Sequence, residues 1–110
     1  MIARNRILLT TAENLKDRNI VKTIGLVRGN TIRARHIGKD IQAVLRNVVG
    51  GEIKEYTQLM AESREQAVER MIEEAVSLGA NAIIGVRFTT SMVQSGAAEL
   101  LVYGTAVVID

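Results

Sequence analysis

The stretch Tyr56–Gly85, YTQLMAESREQAVERMIEEAVSLGANAIIG, decides the fold. Tyr56, Leu59, Met60, Ser63, Ala67, Met71, Ala75 and Leu78 recur at intervals of three and four, the spacing of one face of an α-helix. Val68, Ile72 and Val76 widen the apolar stripe in its second half. No Gly or Pro interrupts it until Gly79, which can take the left-handed conformation that closes a helix. Ala80-Asn81 then makes a turn, and Ala82-Ile83-Ile84-Gly85-Val86 reads as a buried strand.

Working outward, Ile7–Thr11 is a short strand candidate followed by a polar turn. Ile20–Arg28 is a second strand, with Gly25 marking a bulge or close backbone approach. Gly29-Asn30 has turn chemistry, and Thr31–His36 is polar, basic and extended. Ile41, Val44, Leu45, Val48 and Val49 predict a short helix that stops at Gly50-Gly51. Beyond the long helix, Val86, Phe88 and Thr90 extend their strand. Ser91–Ala97 connects to a last strand, Glu99–Ile109, whose run Leu100-Leu101-Val102-Tyr103 predicts cover on both faces. Gly104 interrupts it as Gly85 interrupts the strand before. The order is β-β-α-α-β-β: an α+β domain spanning residues 1–110, with one antiparallel sheet and helices packed on one face. If the other face is also apolar, one chain cannot cover it, and oligomerisation is the simplest remedy.

Composition narrows the chemistry. Hydrophobic residues make up 47% and aromatics 3%, so the core is aliphatic. The absence of Cys removes disulfides and thiolate chemistry. The N-terminus offers only the apolar run Ile7-Leu8-Leu9, too short for a signal peptide, and no run nears the ~20 residues that cross a bilayer. The expected location is cytoplasmic, with no membrane partner. Residues 1–50 hold ten Lys and Arg against three acids, a balance of +7. Residues 51–110 hold four against nine, a balance of −5. Such asymmetry suggests either nucleic acid or two halves that answer each other electrostatically. Glu65, Glu69 and Glu73 stack at i,i+4 positions on the long helix. They form either a solvated acidic face or a row that meets basic residues of the first half, in the same chain or a neighbouring one.

Metal sites need several imidazole or thiolate donors, or clustered carboxylates. The only histidine, His36, lies among arginines in a setting that repels cations. Nucleophile elbows, dinucleotide loops and P-loops are all absent. Nucleic-acid binding through the basic half is disfavoured, because the basic residues are scattered and few aromatics can stack on bases. No catalytic and no metal residue is assigned. Arg87, Glu99 and Tyr103 are the candidate ligand-binding residues, being the polar or amphipathic groups that the sheet would place, although cross-strand pairing is the simpler account of them.

Taken together, Thr10-Thr11, Ile20-Val21, Gly25-Leu26-Val27-Arg28-Gly29, Val48-Val49-Gly50-Gly51, Tyr56, Leu78-Gly79-Ala80-Asn81-Ala82-Ile83-Ile84-Gly85-Val86 and Gly104-Thr105-Ala106-Val107 resemble the YbjQ-type family. That family carries a heavy-metal-binding label and no established function. Gly50, Gly51, Gly79, Gly85 and Gly104 match its pattern as structural positions. The resemblance implies a ring-forming, dodecin-like or YbjQ-like subunit that assembles as a homopentamer. It also implies a metal cofactor, whose ligands this chain largely lacks, so the cofactor is left unknown. The expected function is a homo-oligomeric binding or structural protein with an unidentified small ligand between subunits. The alternatives are an enzyme whose site is assembled between subunits, or a nucleic-acid binder.

The missing thiols and the solitary His36 yield a prediction about metals. Calorimetric titration of the native protein with zinc, copper and nickel should show no stoichiometric sub-micromolar site. If a site appears, ligands are being shared across subunits, and His36→Ala should abolish it.

Overall fold

A computed structural model describes residues 7–33, 54–94 and 97–110. Among these, strand β1 is Leu8–Leu9, β2 is Ile20–Arg33, helix α1 is Lys54–Ser77, β3 is Ala82–Gln94 and β4 is Ala97–Ile109. The strands form one sheet in the order β1-β3-β4-β2, with α1 laid over β2 and β4. The three long strands are antiparallel, as expected, while β1 runs parallel to β3 at the edge. The sheet is therefore mixed. Residues 7–12 follow the start of β3, through bonds such as Thr10 N–H to the Ile83 carbonyl and Val86 N–H to the Thr10 carbonyl. The predicted helix over 41–49, its Gly50-Gly51 stop and His36 lie outside the described residues.

The helix buries the face that its periodicity predicts. Ser63, Ala67, Met71, Ile72 and Ala75 are buried, whereas Val76 and Leu78 are exposed at the end of the stripe. The seam includes the small residues Ser63, Ala67 and Ala75, and under it lies Gly29. A side-chain carbon at Gly29 would collide with the Ala67 carbonyl oxygen and the Met71 amide nitrogen, both backbone. Gly29-Asn30 is thus no turn: β2 continues straight through it to Arg33. The glycine is needed for helix approach rather than for chain reversal. Thr31 Oγ1 then donates to the Ser63 carbonyl at 3.5 Å. Around this seam Val27, Ile83, Val86, Val102 and Ala106 complete an aliphatic core. Each buried Val, Ile or Met contributes about 1.5–3 kcal/mol, against about 0–1 kcal/mol for an exposed ion pair. Packing along this seam therefore carries the fold.

The helix ends as predicted. Ala80 N–H reaches the Ala75 carbonyl and Gly79 N–H the Val76 carbonyl, each at 3.0 Å, with Gly79 at φ +89°. This is a Schellman closure, which Gly adopts without a Cβ penalty. Asn81 then locks the helix-to-strand corner. Its side-chain amide donates to the Ile109 carbonyl and accepts the Ile109 N–H, at 2.8 and 2.7 Å. In β3 the register shifts between Ile84 and Arg87, with Gly85 at φ +62°. That bulge turns both Ile83 and Val86 into the core. Gly104, beneath them, leaves the room: a Cβ there would lie 2.8 Å from Ile83 Cγ2.

Gly29→Ala is expected to cost about 3 kcal/mol, because the obstacle is helix backbone that cannot rotate away. Gly104→Ala, opposed mainly by side chains, should cost about 1–2 kcal/mol. Thermal melts check this: the first should lower Tm by on the order of 10 °C or more, and the second by less.

Candidate functional site

Residues of β2, β4 and β3 that stand in register form rows across the sheet. One row is Arg28–Tyr103–Arg87, with Tyr103 on the central strand opposite both arginines. It lies on the face away from α1, since the alternating positions Val27, Gly29 and Val102 face the helix. The neighbouring rows on this outer face are Leu26–Thr105–Ile84, Asn30–Leu101–Thr89 and Ile32–Glu99–Ser91.

The candidates Arg87 and Tyr103 are thus brought together, and Glu99 is not. Glu99 stands four positions from Tyr103 along β4, about 13 Å. Glu99 Oε2 instead accepts from Asn30 Nδ2 at 3.0 Å. Arg87 ties the chain before β2 to the sheet, its Nη1 donating to the carbonyls of Thr11 and Val86 at 2.9 and 3.0 Å. Its Nη2 lies 3.7 Å from Glu13, a pair open to solvent and worth little. The residue missed from sequence is Arg28. It looked like the end of a strand before a turn, and only the continuation of β2 sets it beside Tyr103.

The expected cover over both faces of β4 is not met among the described residues. Val102 and Leu100 are buried beneath the helix, while Leu101 is half-buried and Tyr103 exposed on the outer face. Among the described residues only the near end of that face is covered, where Leu15 packs on Ala82, Ile84, Val107 and Ile109. Farther along, Leu26 is 65% and Ile32 57% exposed.

The outer edge of β2 is closed differently. Glu74 Oε1 accepts the Arg28 N–H at 2.8 Å, and Arg70 Nη1 donates to the Asn30 carbonyl at 2.6 Å. Two helix side chains, one turn apart, thus occupy backbone groups that would otherwise invite another strand. On its solvent side α1 carries a shallow groove lined by Ala61, Glu62, Glu65, Gln66 and Glu69. Among the described residues no group of three His, Asp or Glu side chains stands together as a metal site requires. These residues also include no histidine or cysteine to serve as base or nucleophile. Their donor set therefore does not fit a heavy metal.

An open sheet face and a helix covering the other define a small α+β domain, with no assembled catalytic group among the described residues. Comparison with known proteins says which. Residues 7–110 match a family model described as "Putative heavy-metal-binding", that of the YbjQ family. A UPF0145 protein of Methanococcus vannielii is 60% identical over 102 residues, covering 93% of this chain and 97% of its own. One from Archaeoglobus fulgidus is 55% identical over 101 residues, covering 92% and 94%. A crystal structure of a protein of unknown function from the DUF74 family of Pediococcus pentosaceus superposes with a TM-score of 0.58. It is 16% identical, covers 94% of this chain and 98% of its own, and so supports the fold alone. The chain belongs to the YbjQ family.

Removing the edge cap tests its role. Glu74→Ala should cost about 1 kcal/mol and raise thioflavin-positive aggregation on warming, since it frees the Arg28 N–H at a sheet edge. Glu74→Gln keeps an acceptor and should restore most of both.

Proposed function

We propose that the protein works as a homo-oligomer, five copies in a ring, serving as a small binding or structural unit rather than an enzyme. The observation that carries this reading is the outer sheet face, where Leu26, Ile32 and Tyr103 stand open in a single chain. Isolated exposed apolar residues are ordinary. Three that share one face of a regular sheet, next to half-buried Leu101, form a surface suited to a partner. The number five comes from the family resemblance.

The ligand in this reading is an unidentified small molecule held between subunits, beyond the shallow groove that α1 itself carries. Heavy-metal binding does not enter the reading, because the chain has one histidine and no cysteine. No helix among the described residues is long and apolar enough to cross a membrane, and we place the protein in the cytoplasm.

Light scattering after size exclusion should give a mass about five times that of the 12.0 kDa chain at micromolar concentration. A monomer mass would remove the reading. Native mass spectrometry of gently purified protein should add the mass of any retained ligand.

A further inference from the structure

We draw no further inference here: the strongest candidate, the uncharged edge of β3 from Phe88 to Ser91, exposed and beyond the reach of β1, carries nothing, because nothing in the structure shows what covers it.

Discussion

The structure depends on how closely α1 can approach β2. Gly29 lets the helix backbone come down until the Ala67 carbonyl and the Met71 amide occupy the space of a side chain. Ser63, Ala67 and Ala75 on the helix are small for the same reason. Dispersion and exclusion of water both gain from that proximity, and a 110-residue chain with few aromatics has little else to draw on. Arg70 and Glu74 reach the β2 edge only because the helix lies so near it.

The same packing determines what is left open. A helix laid over β2 and β4 covers one face of the sheet, and among the described residues Leu15 and its neighbours cover only the near end of the other. The remainder of that outer face is where Arg28, Tyr103 and Arg87 align. Alternation along β2 and β4 drives Val27, Gly29 and Val102 into the core, and thereby drives Leu26, Arg28, Asn30, Leu101 and Tyr103 outward. The open surface is thus the complement of the core, residue by residue.

Charge falls into the same geometry. The surplus of Lys and Arg in residues 1–50 and of acids in residues 51–110 places Arg28 on a strand and Glu62, Glu65, Glu69 and Glu73 on the helix. Within the chain, sheet and helix exchange bonds along the β2 edge, through Arg70 and Glu74. The outer sheet face and the solvent side of the helix point away from each other, so the charges of Arg28 and of the helix carboxylates on that side do not meet within the chain.

By itself the sequence determined the long helix, read as opening at Tyr56 and found to run Lys54–Ser77, and its stop at Gly79. It also determined strands beginning at Ile20 and Ala82 and ending at Ile109, and the α+β class. Each of these is written in local spacing, or in a residue whose conformation is its signature. What only the tertiary structure decided turns on non-local contact. Gly29-Asn30 has the composition of a turn yet lies within a strand, because the glycine answers a helix some forty residues away in sequence. β1 runs parallel to β3, since no local signal encodes strand direction. Of the candidate residues, Arg87 and Tyr103 meet and Glu99 stands apart, because register alone sets which positions face each other. Arg28 joined them only when β2 proved continuous, for a cross-strand neighbour is set by pairing and not by proximity in the chain.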